Sequence, residues 1–237
     1  MNPFPVMAGT RIFNDIIRGS ALFFGEFPMT PQELVFSQPI ITYVFFIVGY
    51  ALVGGGIKYI DDAFDENTYN KRTAMLLSPV IAVLWVFLMV LSAPSATILG
   101  AIFLSVALRK KIDTIALQVG AVAVIAGVVL LYLYRVLDFR FGPLVFLTVA
   151  GILDEIGNDF VDRHVSVRGF IYYFFEYRFV LKIAVFALAY MGFYGWEYFF
   201  AFLGFDLAYA WVGHYSEKLK HERKFYYHQR NNLNGIP

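Results

Sequence analysis

Two acidic clusters are the residues of this chain best suited to chemistry. Asp61, Asp62, Asp65 and Glu66 follow one apolar stretch in KYIDDAFDEN, and Asp154, Glu155, Asp159 and Asp162 follow another in LDEIGNDFVDRH. If helices run on through them, Asp61 and Asp65 share a face at i, i+4, and Asp62 and Asp65 are neighbours at i, i+3. Glu155, Asp159 and Asp162 then run down one face of their own helix. Like charges stacked in this way repel and call for a counter-charge. Two such clusters facing each other make an oxygen-rich site for Mg²⁺, which is commonly held by one or two carboxylates plus substrate phosphates. Arg72, Arg109, Lys110 and Lys111 in neighbouring loops can complete a phosphate pocket. The plainer alternative is a pair of solvated helix ends neutralised by nearby bases. The shared form (Asp/Asn)-Asp-x-x-Asp, on the same side and directly after an apolar stretch each time, favours a common site.

The elements that must position these clusters are apolar helices. Of 237 residues, 59% are hydrophobic and 16% charged, against about 45–50% and about 25% in soluble domains. Mean hydropathy is +0.62, and the excess lies in blocks, as in an integral membrane protein. The segments fall near 39–57, 74–93, 96–108, 115–134, 141–153, 179–196 and 198–213. The fold class expected is therefore all-α, a polytopic transmembrane helical bundle of about seven to eight spans. Residues 1–38 carry Arg11, Asp15, Arg18, Glu26 and Glu33 between short apolar groups, the pattern of an interfacial segment. The helical domain occupies 39–214 and a basic tail 215–237.

Charge sets the orientation. With alternate loops on opposite sides, fourteen Lys and Arg fall on one side and four on the other. The rich side is then cytoplasmic, which puts the N-terminus outside, the C-terminus inside and both acidic motifs on the cytoplasmic face. Net charge is +1 and Cys is absent. No nucleic-acid partner is expected, and disulfides, thiolate metal sites and cysteine nucleophiles are excluded. The first residues lack a basic stretch, an apolar run and a small-residue cleavage site, so no cleaved leader is expected.

The motifs resemble those of the UbiA superfamily of intramembrane prenyltransferases. Asp61-Asp62-Ala-Phe-Asp65, followed by Asn70-Lys71-Arg72-Thr73, is similar to the family's first Asp-rich motif and its basic sequel. Asn158-Asp159-Phe-Val-Asp162 is similar to its second, and Leu108-Arg109-Lys110-Lys111 to its basic loop between them. Tyr69 and Ser166 stand where the family has a third Asp, and the chain is short of the family's usual number of helices. The resemblance implies an intramembrane, Mg²⁺-dependent transferase that moves an isoprenoid group from a prenyl diphosphate to a lipophilic acceptor. It implies that Asp61, Asp62, Asp65, Asp159 and Asp162 hold Mg²⁺, and that Asp62, Asp65, Asp159 and Asp162 carry catalysis. Arg72, Arg109, Lys110 and Asn158 would bind the diphosphate. Partners would be the prenyl diphosphate, its acceptor and membrane lipids.

Rival readings stay open on the residues themselves. Acidic clusters at helix ends can form a cation pathway, or a non-catalytic scaffold can bind a lipid or partner. A lipid phosphotransferase fits less well, because Asp-Gly-x-x-Ala-Arg is absent, and the Glu-Glu pair of CAAX proteases is missing too. The aromatic runs FIYYFFEYRF and YGWEYFFAF suit an interfacial belt better than a cavity wall. Asp206, within the last apolar segment, needs a partner, a proton or a polar cavity. Gly54-Gly55-Gly56 reads as a close-packing site, and the basic tail as a surface for anionic lipid.

Overall fold

The computed structural model describes residues 39–163 and 169–233, within which the side chains of Pro39, Asp162, Glu176, Lys224 and residues 226–233 are not described. The interfacial segment expected over 1–38, Ser166 and the Asp162 carboxylate lie outside the described residues. Eight helices and no strands occur among the described residues: α1 Pro39–Phe64, α2 Lys71–Leu91, α3 Ala93–Leu108, α4 Ile115–Leu133, α5 Phe141–Arg163, α6 Phe170–Glu176, α7 Phe179–Tyr190 and α8 Trp196–Leu233.

Local chemistry sets most boundaries. Asn70 Oδ1 accepts from the amides of Arg72 (2.9 Å) and Thr73 (3.4 Å) and so caps α2. Ser92 Oγ accepts from the Ser95 amide at the start of α3, where Pro94 needs no N–H partner. Thr114 caps α4 in the same way through the Leu117 amide. The start of α7 is capped from a distance: Asp154 on α5 accepts from the amides of Val180 (2.9 Å) and Leu181 (2.7 Å). The carboxylate also favours the positive end of the α7 dipole.

Helix α1 does not stop at its apolar end but continues through Asp61 and Asp62, and α5 continues through Asp154, Glu155 and Asp159. Two corrections to the expected segments are therefore at the acidic motifs. A third is α8, which runs unbroken across Gly213 and His214, so the last apolar segment and the basic tail are one rod. Helix α6 adds a short aromatic element between the motif helix and α7.

Among the described residues three helices are long and apolar enough to cross a membrane: Ile40–Phe64, Lys71–Leu91 and Ile115–Leu133. Helices α3 and α7 are apolar but shorter, with 16 and 12 residues. Val119, Val122, Ile125 and Val129 of α4 are exposed, as are Val44, Val48 and Leu52 of α1. So many outward aliphatic side chains suit a hydrocarbon surround and not water.

The largest interface is between α1 and α8, while α2 packs on α1, α3 and α4. Glycine makes the α1–α8 contact close. A Cβ at Gly54 would run into the Phe205 carbonyl oxygen, and one at Gly204 would lie 3.0 Å from the Ile47 carbonyl oxygen. Gly56 faces the flexible Ile81 side chain instead. At Gly55 an added Cβ would meet Val212 Cγ2 at 3.4 Å and Ala208 at 3.6 Å or more, all ordinary contacts. Beside this seam Phe46, Tyr50 and Val53 are fully buried, and the Tyr50 hydroxyl is 2.9 Å from Ser95 Oγ.

This packing yields a paired prediction. Gly54→Ala should destabilise the bundle by about 1–3 kcal/mol, because backbone must move to admit one methyl. Gly55→Ala should be neutral or raise stability by up to about 1 kcal/mol, as a mid-helix Gly normally costs that much relative to Ala. Unfolding in mixed micelles with increasing SDS checks both; equal effects at the two positions would contradict the α1–α8 seam.

Candidate functional site

The first acidic cluster is bound up with its own helix. On the last turns of α1, Lys58 Nζ lies 3.2 Å from Asp61 Oδ2 and 2.9 Å from Asp62 Oδ1. Asp62 is only 3% exposed, and its second oxygen has no hydrogen-bond partner. Asp65 follows the helix end, its amide closing on the Asp61 carbonyl at 3.0 Å.

The second cluster is bound up with two neighbouring segments. Lys111, past the end of α3, reaches Glu155 Oε2 at 2.6 Å and Asp159 Oδ1 at 2.9 Å. Arg109 meets Asp159 Oδ2 at 2.6 Å, and Arg178, at the start of α7, meets Glu155 Oε1 at 3.1 Å. Arg178 is held in a left-handed backbone conformation, φ 50°.

A cavity of about 390 Å³ brings parts of both clusters together. Its body is apolar, formed by Ile60 of α1, Trp85 of α2, Phe103 of α3, Leu117 and Val124 of α4 and Phe205 of α8. Gly120 of α4 also lines it. The charged lining consists of Asp61, Asp65, Asp113, Glu155, Lys111 and Arg178. Four carboxylates thus stand against two cations. Tyr209 of α8 closes this polar part: its ring lies 5.4 Å from Lys58 Nζ and 5.3 Å from Arg178 Cζ, a cation–π contact with a cation from each cluster.

The expected site residues divide accordingly. Asp61 and Asp65 line the cavity, and Asp62 lies behind them on Lys58. Asp159 is taken up by Arg109 and Lys111 and does not line the cavity. Of the expected diphosphate binders, Arg72, Arg109, Lys110 and Asn158 are all outside the lining. Arg72 sits exposed on the first turn of α2, beside its Asn70 cap. Lys110 adopts φ 55° where the chain leaves α3, and it is exposed while its neighbour Lys111 lines the cavity. The lining residues not anticipated in a binding role are Asp113, Glu155, Arg178 and Tyr209. Glu155 was legible as the start of an i, i+4, i+7 row. Nothing in the local spacing marked Arg178 or Tyr209, which arrive from far along the chain.

Other expectations are settled by partners. Asp206 pairs with Lys182 at 2.6 Å, so the charges of these two apolar segments neutralise each other. None of the described side chains of 170–177 lines the cavity, and Phe170, Ile171, Tyr173 and Tyr177 are exposed. Lys220 and Arg223 of the tail engage protein: Lys220 pairs with Glu66, and Arg223 donates to the carbonyls of Asn67 and Thr68, each at 2.8 Å. Tyr69 stacks on Tyr59 at 4.3 Å and donates to the Val212 carbonyl at 3.2 Å. The residue standing in place of a third acid thus fastens the loop to α8.

Among the described residues no three acidic or histidine side chains are grouped closely enough to hold a metal ion by themselves. The negative excess of the lining nevertheless suits a cation that arrives with its own oxygen ligands. The electrostatics agree: Asp65 is held above the ordinary carboxylate range by desolvation, then by Asp61 and Asp113. Asp159 is held below it, chiefly by its hydrogen bond from Lys111 and then by the one from Arg109, against some desolvation.

The Asp159 shift predicts an acid limb. A depressed carboxylate contributes stability above its unfolded pKa of about 3.9, and that contribution is lost as pH falls through the folded value. At pH 7 Asp159→Asn should cost about 1 kcal/mol, given a partly exposed pair. The gap between wild type and variant should close as pH drops below about 4, read by SDS unfolding at stepped pH. A gap independent of pH would contradict the assignment. No protein-family model, curated protein or solved structure matches this chain.

Proposed function

We propose that this chain is a multi-pass integral membrane enzyme that binds a prenyl diphosphate in the α1–α4/α8 cavity and transfers its isoprenoid group to a lipophilic acceptor. The observation that carries the reading is an apolar cavity of about 390 Å³ whose charged lining takes Asp61 and Asp65 from the first acidic cluster and Glu155 from the second. An amphiphile with a long apolar chain and a phosphorylated head matches both halves of that surface. The size is within the range of small-molecule sites, about 300–1,000 Å³. The distribution of Lys and Arg between loops supports a cytoplasmic mouth, an outside N-terminus and a cytoplasmic C-terminus. The shorter helices would complete a bundle of seven to eight spans.

In this mechanism Trp85, Phe103 and Phe205 surround the chain, and Lys111 and Arg178 face the diphosphate. Asp61 and Asp65 would hold Mg²⁺ together with the phosphate oxygens. Bound Mg²⁺ supplies Lewis-acid neutralisation of the diphosphate. The allylic C–O bond breaks and its electron pair leaves with the diphosphate. Lys111 and Arg178 stabilise the developing negative charge. The aromatic faces shield the allylic cation from water. The acceptor's nucleophilic atom then bonds to the allylic carbon and passes its proton to an oxygen of the released diphosphate.

A second reading rests on one feature. Four carboxylates against two cations in the lining also favour a positively charged amphiphile, as in a cation carrier.

Binding of geranylgeranyl thiodiphosphate to detergent-purified protein separates the two. The enzyme reading expects saturable, Mg²⁺-dependent binding that Asp61→Asn weakens by about tenfold to a hundredfold, the worth of one charged contact. Binding of a lipophilic ammonium ion without Mg²⁺, and no binding of the thiodiphosphate, would transfer support to the carrier.

A further inference from the structure

Glu155 has a position in the cavity that a structural ion pair does not require. It is 3% exposed, yet it lines the cavity, with one oxygen on each of two cations: Oε1 on Arg178 and Oε2 on Lys111. Two oxygens bridging a guanidinium and an ammonium reproduce the way a phosphoryl group is gripped.

Both cations have a second anchor that does not involve Glu155. Lys111 donates a hydrogen bond to Asp159 at 2.9 Å in addition to its 2.6 Å pairing with Glu155 Oε2. Arg178 rests on the Tyr209 ring at 5.3 Å. Its backbone is fixed as well, because Asp154 ties down the next turn through Val180 and Leu181. Remove Glu155 and the pair of cations keeps its place.

Glu155 also has somewhere to go. A smaller pocket of about 30 Å³ adjoins the cavity and shares Glu155 and Arg178 with it, and Ser105, Gly151, Asp154 and Asp206 line its other side. That is room for about one water, enough to take a carboxylate oxygen displaced from the cavity.

We propose that Glu155 is an internal stand-in for the phosphoryl group of the ligand: it bridges Lys111 and Arg178 in the empty cavity and is displaced when a phosphorylated amphiphile binds. The inference rests on the reading of the cavity as a phosphorylated-amphiphile site, and it makes Lys111 and Arg178 the recognition pair. Because Asp61, Asp65 and Asp113 remain beside that pair, the anion enters with Mg²⁺.

The test is equilibrium binding to the full-length detergent-purified chain in Mg²⁺, wild type against Glu155→Gln. Two probes are used: geranylgeranyl thiodiphosphate and dioctanoyl phosphatidic acid, which presents a lipid phosphate. Loss of the competing carboxylate should tighten binding at least tenfold for the probe that belongs in the site. Glu155→Asp, too short to bridge both cations, should tighten it to a lesser degree and serves if Glu155→Gln does not fold. Wild-type binding of the thiodiphosphate with equal or weaker binding by the variants would overturn the stand-in role and leave the functional reading intact. Tightening confined to phosphatidic acid would keep the stand-in role and overturn the prenyl diphosphate. Failure of every form to bind either probe would overturn both.

Discussion

The ion-pair chain Arg178–Glu155–Lys111–Asp159–Arg109 is the constraint on which the rest of the molecule depends. In an apolar bundle an unpaired buried charge is far more costly than any single contact it could replace. Glu155 and Asp159 are carried inward by α5, so α3 and α7 must end where Arg109, Lys111 and Arg178 can reach them. That requirement fixes the turn after α3, while the Asp154 carboxylate, accepting from the Val180 and Leu181 amides, fixes the start of α7. The same network sets the polar half of the cavity, since Glu155, Lys111 and Arg178 all line it.

The other half of the cavity follows from glycine. Close approach of α1 and α8 at Gly54 and Gly204 brings Phe205 and Tyr209 against the end of α1 that carries Asp61. Tyr209 then joins the two clusters, with Lys58 and Arg178 both at its ring. The extension of α8 continues past this point and holds the Asn67–Thr68 backbone through Arg223. One helix therefore packs the core, closes the charged lining and fastens the loop after the first motif.

Much of the helical plan was legible in the sequence because long apolar runs bounded by polar caps leave little choice. Ile115 and Phe141 begin helices where hydropathy places them, and Leu108 ends one. The expected segments stop short at Ile57, Leu153 and Gly213 because hydropathy falls at the first charges, while hydrogen bonding carries the helices on. Spacing put Asp62 and Asp159 in the expected site, yet neither lines the cavity, because spacing does not say which carboxylate a lysine will take. Lys58 takes Asp62 from the same helix, and Lys111 and Arg109 take Asp159 from another. Arg178 and Tyr209 were invisible for a different reason. Their roles depend on contacts between elements far apart in the chain, and no local pattern encodes these.

The account centres on an isoprenoid chain lying between α2, α4 and α8 with its phosphorylated head at the charged lining. Photo-crosslinking tests this most directly: a geranylgeranyl diphosphate with a diazirine near the chain terminus is irradiated in membranes with Mg²⁺, and labelled peptides are mapped by mass spectrometry. The account predicts labels on the cavity-lining residues of Lys71–Leu91 and Ile115–Leu133, Trp85 and Val124 among them, competed away by unlabelled diphosphate. Labels confined to the outward faces, such as Val122 and Val129, and indifferent to competitor, would contradict it.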